Sequence, residues 1–351
     1  MRVAFVSAST AHHREARHPA RLRRVAERLA ADGHDVTYCC VQWWGGDHDA
    51  FEYEGVTYRR VTSDHAPRAF ASKLPFVLRK VAPDVIHVAT DPPLAVSAAK
   101  TAGRVLRTPV VADWWTTPDG DGGGYRRAAR AADEILVPSR TVETQVREYG
   151  VAADAVRIVP DSVDMALVRD VPVDDRADLV YARRVDEHAN VENFLLALAE
   201  LRTRDWRAVV IGDGPERAAA ERTAADLRID DRVEFLGTLD PEERVPVLKG
   251  AHVFVQTATW EPFATDLLWA LACGCVGIVE YQAGSSAHEL VEGDPRGSLV
   301  TSPQEIADEI RAAADLERWA VDEGYANYDH AAVERRYLDC YREAVDDYGI
   351  F

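Results

Sequence analysis

The sequence predicts an α/β protein made of two doubly wound parallel sheets. Three observations carry that reading. Short apolar strand runs alternate with amphipathic helical runs in both halves of the chain. Prolines open many of the helical runs and glycines close several of them. The chain has 351 residues, 47% of them apolar, which is enough for two cores of ordinary size.

The elements follow in order. Val3 to Ser7 reads as a strand. Pro19 to Asp32 is an amphipathic basic helix, stopped by Gly33. Val36 to Val41 is a second strand, and Phe51 to Val61 a strand pair around Glu54-Gly55. Pro67 to Val81 is a helix, Asp84 to Ala89 a buried strand, Pro93 to Leu106 a helix and Val110 to Asp113 a strand. Tyr125 to Ala132 is a helix and Glu134 to Pro138 a strand. Ser139 caps a helix to Gly150, and Val156 to Pro160 is the last strand of this half.

Acids and prolines between Asp170 and Asp178 suggest a linker. A second alternating set follows it. Strands are expected at Leu179–Tyr181, Arg207–Gly212 and Val233–Leu236, and helices at Asn190–Thr203, Pro215–Leu227 and Pro241–Lys249. His252 to Gln256 is a strand, Phe263 to Cys273 an apolar helix closed by Gly274, and Val276 to Glu280 a strand. Pro303 to Asp315 and Ala331 to Tyr348 are closing helices. The expected domains are 1–169, a linker 170–178, 179–330, and a C-terminal helix 331–351 packing back on the first domain. Open α/β sheets bind ligands at the carboxyl ends of their strands, so a cleft between the two domains is the expected site.

Composition narrows the function. The net charge is −18, and only four of the 41 basic residues are lysines: Lys73, Lys80, Lys100 and Lys249. So acidic a chain is not a general nucleic-acid binder, which needs a basic surface. It suits a halophilic host. The five cysteines sit in apolar runs, as reduced core residues do, and none has zinc-site spacing. No run is long and apolar enough to cross a membrane, and Met1-Arg2 leads straight into a strand. The expected location is cytoplasmic, with peripheral association at the inner membrane face allowed.

The chemistry concentrates between His252 and Val300. Pro262 suits a first helical position, and the N–H groups of Phe263, Ala264 and Thr265 would face an anion. Glu261, just before them, can accept hydrogen bonds from hydroxyls. Phosphate plus hydroxyls points to a nucleotide sugar. Earlier, Ile211-Gly212-Asp213-Gly214-Pro215 follows a strand and opens a helix, with glycines that permit tight backbone geometry.

These motifs, in this order, resemble the family 4 glycosyltransferases. The resembling stretches are Glu261-Pro262-Phe263 with the helix ending Ala272-Cys273-Gly274, the Gly-Asp-Gly-Pro turn, and the loop from Arg183 to Glu192. Val159-Pro160-Asp161-Ser162-Val163-Asp164 resembles that family's turn at the end of its first domain. The resemblance implies the GT-B architecture, two Rossmann-like domains facing a cleft, and transfer of a sugar with retention from a nucleotide-diphosphate sugar to a glycan or lipid-linked acceptor. It implies Glu261 on the donor sugar and Arg184 on the diphosphate, with a front-face mechanism and no enzymic nucleophile. Phe263, Ala264, Thr265, Gly212, Gly214, Arg183, Glu289 and Trp269 are the expected donor-binding positions. His12, His13, Trp114 and Trp115 are expected on the acceptor side. No tightly bound cofactor and no essential metal is expected, and Asp119 and Asp121 make a weak metal pair.

Four features of the family's donor site are lost. Trp269 stands where the family has a second Glu, eight residues after the first. Ala189 replaces a Lys, and Trp115 a His. Ser9-Thr10-Ala11-His12-His13-Arg14-Glu15 replaces a Gly-Gly loop. These losses keep a second reading open: a non-catalytic relative that binds a glycan or a partner transferase through a tryptophan-lined cleft. A third is another activity on the same architecture, such as nucleotide-sugar epimerisation.

Overall fold

The computed structural model describes residues 1–13, 16–115 and 122–349. The chain divides into two compact units. One comprises Met1–Pro160 together with Val333–Phe351, and the other Asp161–Ala332.

The first unit begins with β1 (Arg2–Val6), α1 (Arg17–Ala31) and β2 (Asp35–Val41), then the hairpin β3 (Ala50–Tyr53) and β4 (Val56–Thr62). It continues with α2 (Pro67–Val81), β5 (Val85–Ala89), α3 (Pro93–Leu106), β6 (Val110–Asp113), α4 (Gly122–Ala131), β7 (Glu134–Val137), α5 (Arg140–Arg147) and β8 (Val156–Ile158). Among the described residues its sheet runs β3-β4-β2-β1-β5-β6-β7-β8, parallel except for the β3–β4 hairpin. The inner strands β2, β1, β5, β6 and β7 are buried on both faces along nearly all their length, as crossover helices require, while the edge strands β3 and β8 are largely open. In β1, Ala4 and Val6 join a cluster with Phe70, Leu74 and Val96, while Val3 and Phe5 join one with Leu22, Val25, Tyr337 and Tyr341.

The second unit contains α6 (Met165–Asp170), β9 (Leu179–Ala182), α7 (Val191–Glu200), β10 (Ala208–Ile211), α8 (Arg217–Asp226), β11 (Val233–Gly237), α9 (Pro241–Gly250) and β12 (Val253–Gln256). Then come β13 (Trp260–Glu261), α10 (Thr265–Ala272), β14 (Val276–Glu280), β15 (Gly284–Ser285), α11 (His288–Val291), β16 (Gly297–Val300) and α12 (Pro303–Ala313). Its parallel sheet runs β11-β10-β9-β12-β14-β16, the doubly wound 3-2-1-4-5-6 order. The short β13 pairs with β15 outside this sheet. Neither β15 nor β16 is expected from sequence, because runs of two and four residues carry too little periodicity to register.

The 19-residue α13 (His330–Tyr348) closes the chain. Val333, Tyr337 and Tyr341 sit in the same core cluster as Phe5 and Leu22. Glu334 on this helix pairs with Arg28 of α1 at 2.9 Å.

The units divide at Pro160 rather than at 169, and the segment expected to be a linker is packed on the second unit. Val163 N–H bonds Tyr328 O, Met165 N–H bonds Asp329, and Asp164 caps α6 through Leu167 N–H. Lys249 Nζ reaches Val171 O at 2.5 Å. Acids and prolines in the sequence signal a break in regular structure there, but not a break in contacts. Among the described residues no helix is long and apolar enough to cross a membrane.

Candidate functional site

In the second unit the strand order reverses between β9 and β12, where an open α/β sheet forms its ligand crevice. Arg183 leaves the end of β9 and Glu261 follows β12, so the two flank that point. Arg183 Nη1 donates to Glu261 Oε2 at 2.7 Å and to Trp260 O at 2.8 Å. Arg183 is 7% exposed and Glu261 5%, so this is a buried ion pair. Arg183 Nη2 also lies 3.3 Å from Asp186 Oδ1. Arg184 points elsewhere: its side chain is 70% exposed, with Nε 4.0 Å from the other oxygen of Asp186. Asp186 therefore stands between one buried and one exposed guanidinium.

The Gly-Asp-Gly-Pro turn holds Arg183 in place. Arg183 N–H bonds Ile211 O at 2.9 Å and Val185 N–H bonds Asp213 O at 3.1 Å, which presses the loop after β10 on the loop after β9. Gly212 has φ +131°, and a Cβ there would lie 1.9 Å from Arg183 O. A Cβ on Gly214 would lie 2.2 Å from Val185 O. The glycines are needed for backbone-to-backbone approach. Gly212→Ala should cost about 3 kcal/mol or more and shift Arg183, a change that thermal unfolding and ligand titration would both report.

The loop carrying Glu261 is stitched to the loop after β14. Trp260 and Glu261 pair with Gly284 and Ser285. Ser286 N–H bonds Glu261 O at 2.8 Å, and Ser286 Oγ bonds Pro262 O at 2.9 Å. Helix α10 then starts at Thr265. It is apolar all round and nearly all interior, the pattern of a core helix. Phe263 and Ala264 are buried, and among the described residues no acceptor takes their N–H groups. The N–H of Thr265 is bonded to Phe263 O at 2.9 Å, so two of the three expected donors are available to an anion. Thr265 Oγ1 donates to Asp161 Oδ2 at 2.8 Å, a partnership with no sequence signal because 104 residues separate the two.

A second polar knot closes the carboxyl end of β14. Glu280 is buried, and its carboxylate accepts from Asn193 Nδ2 at 2.9 Å and from Asn190 Nδ2 at 3.2 Å. Asn190 begins α7 in the left-handed region, at φ 51°. Sequence reading placed Glu280 at a strand end and missed this role. The bond spans 87 residues, and only the sheet brings the partners together.

The other expected positions lie as follows. Trp269 is 5% exposed, with the Arg244 guanidinium 5.5 Å from its ring centre and the His330 ring at 6.5 Å. Arg244 is itself paired with Asp266 at 2.7 Å. Trp269 is thus a packed interior residue, joined by its recorded contacts to α9 and the start of α13 rather than to Arg183. Glu289 lies on the short α11, its N–H bonded to Ser286 O at 3.0 Å. Ala189 is fully buried, and its carbonyl accepts from Tyr181 Oη at 2.6 Å.

In the first unit, Trp114 and Trp115 are 0% and 4% exposed. Trp114 packs on Tyr125 and Tyr149. The indole of Trp115 lies parallel to the His18 ring at 5.8 Å, with the Arg21 guanidinium 4.8 Å from its centre. Neither offers an open stacking face. His12 is stacked on Trp43 at 3.9 Å, and His13 Nδ1 accepts the N–H of Thr10 at 3.0 Å. His12 thus ties the first loop to the loop after β2, and His13 closes it on Thr10. Arg14, Asp119 and Asp121 lie outside the described residues.

Behind Trp115 is a buried charge network. Asp113, the last residue of β6, is wholly buried and accepts from Arg21 Nη1 through both oxygens at 3.0 Å. Its Oδ2 also meets His87 Nε2 at 3.2 Å, and His87 Nδ1 meets Tyr341 Oη at 2.8 Å. Burial opposes ionisation of Asp113, yet Arg21, His18 and His87 together hold its carboxyl well below the usual range. Burial also lowers His87, against the pull of Asp113.

Residues 20–167 match the family described as Glycosyltransferase Family 4, and residues 169–331 the one described as Glycosyl transferases group 1. These two matches support a family 4-like glycosyltransferase. A 2-deoxystreptamine glucosyltransferase of Streptomyces kanamyceticus is 25% identical over 52% of this chain and 50% of its own. An alpha-monoglucosyldiacylglycerol synthase of Streptococcus pneumoniae is 24% identical over 72% of this chain and 65% of its own. The chain thus spans about half to two thirds of these curated relatives. Among solved structures, HepE of Anabaena in complex with UDP superposes with TM-score 0.78 at 17% identity, covering 98% of this chain and all of that one. Sucrose-phosphate synthase of Thermosynechococcus elongatus gives 0.76 at 19% identity, over 97% and 98%. At such identities the structural likeness shows the fold, GT-B.

Proposed function

We propose that this glycosyltransferase-like chain transfers a sugar, with retention, from a nucleotide-diphosphate sugar to a glycan or lipid-linked acceptor. The observation that carries this reading is the Arg183–Glu261 pair at the switch point of the second sheet, beside the N–H groups of Phe263 and Ala264. The arrangement sorts two jobs. Arg183 fixes Glu261 through a 2.7 Å hydrogen bond, which positions the carboxylate to accept hydroxyl hydrogen bonds from a sugar. Arg184, exposed at the rim, can turn its guanidinium to the diphosphate, whose charge grows as the sugar leaves. The buried N–H groups ahead of α10 add fixed positive dipole at the same end. The leaving phosphate would help to deprotonate the acceptor hydroxyl on the same face of the sugar.

HepE, a GT-B neighbour, is titled as a complex with UDP-glucose, and the synthase from Streptococcus pneumoniae is named for a lipid product. The first supports a nucleotide-sugar donor here, and the second a lipid-linked acceptor. The non-catalytic reading drew on a tryptophan-lined cleft. Trp114, Trp115 and Trp269 are interior and add no support to that reading.

Calorimetric titration with a panel of nucleoside diphosphates and their sugars, in high-salt buffer, tests the proposal. Saturable binding of one donor, weakened about tenfold or more in Arg184→Ala, is the expected result. A folded protein that binds none of the panel would rule the assignment out.

A further inference from the structure

The first unit contains a polar cavity, of about 380 Å³, between β4 and α2. Its walls include Asp49, Arg59, Arg60, Ser63, Lys73 and Lys80. In a chain of charge −18 with four lysines, two of the four line one pocket, so the charge there runs against the surface as a whole.

The pairing pattern sharpens this. Arg60 is satisfied by carboxylates, its Nη1 at 2.7 Å from Asp47 and its Nη2 at 2.6 Å from Asp49. Arg59, Lys73 and Lys80 make no ion pair among the described residues. Arg59, half-buried, lines the same cavity. Lys73 and Lys80 are seven residues apart on α2, two helical turns, with Val77 between them on the same wall. Helix α2 has no acidic residue to neutralise them. Asp49, on the same wall, is the one carboxylate shared by Arg60, Lys80 and Arg59, so cations outnumber it around the cavity and repel one another unless an anion joins them.

We propose that this pocket binds a phosphoryl group. A phosphate offers three oxygens, enough to accept from one guanidinium and two ammonium groups at once. Free phosphorylated compounds and lipid phosphate headgroups share this chemistry. Phe76, 73% exposed on the same helix, would meet the apolar side of a lipid surface. The inference does not depend on the transferase reading.

The test uses the full chain with Arg184→Ala, so that phosphate taken up at the proposed donor site is not counted. Inorganic phosphate is titrated by calorimetry. Co-sedimentation is measured with vesicles of phosphatidylcholine alone and mixed with phosphatidylglycerol. Lys73 and Lys80 are both exposed, so adding Lys73→Gln and Lys80→Gln leaves the core intact, which an unchanged Tm verifies. The expected result is saturable binding of phosphate, of the anionic vesicles, or of both, weakened about tenfold or more by the two lysine substitutions. Binding of the vesicles without free phosphate names a lipid headgroup as the source, and binding of free phosphate names a soluble one. The proposal is overturned if neither probe binds, or if the lysine variant binds as well as its parent.

Discussion

Arg183→Ala should destabilise the protein by about 3–5 kcal/mol, the usual cost of leaving one member of a buried ion pair without its partner. The group that loses this partner is Glu261, 5% exposed and 2.7 Å from the lost guanidinium. Protonation of Glu261 would relieve part of that cost, and it would also remove the charge that holds a donor hydroxyl. Binding and stability should therefore fall together. Arg184→Ala should behave differently. Its side chain is 70% exposed, so stability should change by no more than about 0.5 kcal/mol while donor affinity falls. The double variant Arg183→Ala with Glu261→Gln separates the two effects. A neutral amide does not need the guanidinium, so much of the lost stability should return while donor binding stays absent. Equal losses of stability in Arg183→Ala and Arg184→Ala would contradict this division of roles.

The second large effect is expected at Asp113. Asp113→Ala removes the carboxylate partner of Arg21, which is 1% exposed and keeps Val159 O as an acceptor, and removes a partner of His87. A loss of about 3–5 kcal/mol is expected, or roughly 10 °C in Tm. The network also predicts a pH dependence. The carboxyl of Asp113 is held well below its ordinary value, so the folded state binds this proton less tightly than the unfolded state does. Its stabilisation is then complete above the ordinary carboxylate value near ~4 and is lost as pH falls from there through the lower folded value. Tm measured against pH should therefore drop less steeply on the acid side in Asp113→Asn than in the parent. Parallel acid limbs in the two proteins would show that Asp113 carries no such linkage.

Both predictions concern side chains that the sequence displays but does not pair. Glu261 stood out because Pro262 and an apolar helix follow it, a local pattern. Its partner did not. Arg183 and Arg184 are neighbours in an arginine-rich chain, and the family pattern favours Arg184. Which of the two turns inward depends on the seating of the loop after β9 under Gly212 and Gly214, where a side chain would collide with the carbonyls of Arg183 and Val185. Trp269 shows the converse. Its position in the motif suggested the donor, yet α10 is buried on every side, and a bulky indole there can serve as packing.

The alternation of strand and helix, the turn glycines and the apolar helix after Glu261 determined the fold class and the stretch of chain that holds the candidate site. Those signals are local: period, cap and turn chemistry act over a few residues and survive in one dimension. Tertiary structure alone decided that Arg183 meets Glu261, that Thr265 meets Asp161, that Glu280 ties to Asn193, and that residues 161–178 pack on the second unit rather than hang free. Each of the first three pairs spans 78 to 104 residues. Parallel strands bring their carboxyl ends to one edge of the sheet, which sets Arg183 beside Glu261 and Glu280 beside the start of α7. Thr265 meets Asp161 because the segment ahead of α6 packs on the second unit. Contacts over such sequence distances leave no local pattern to read.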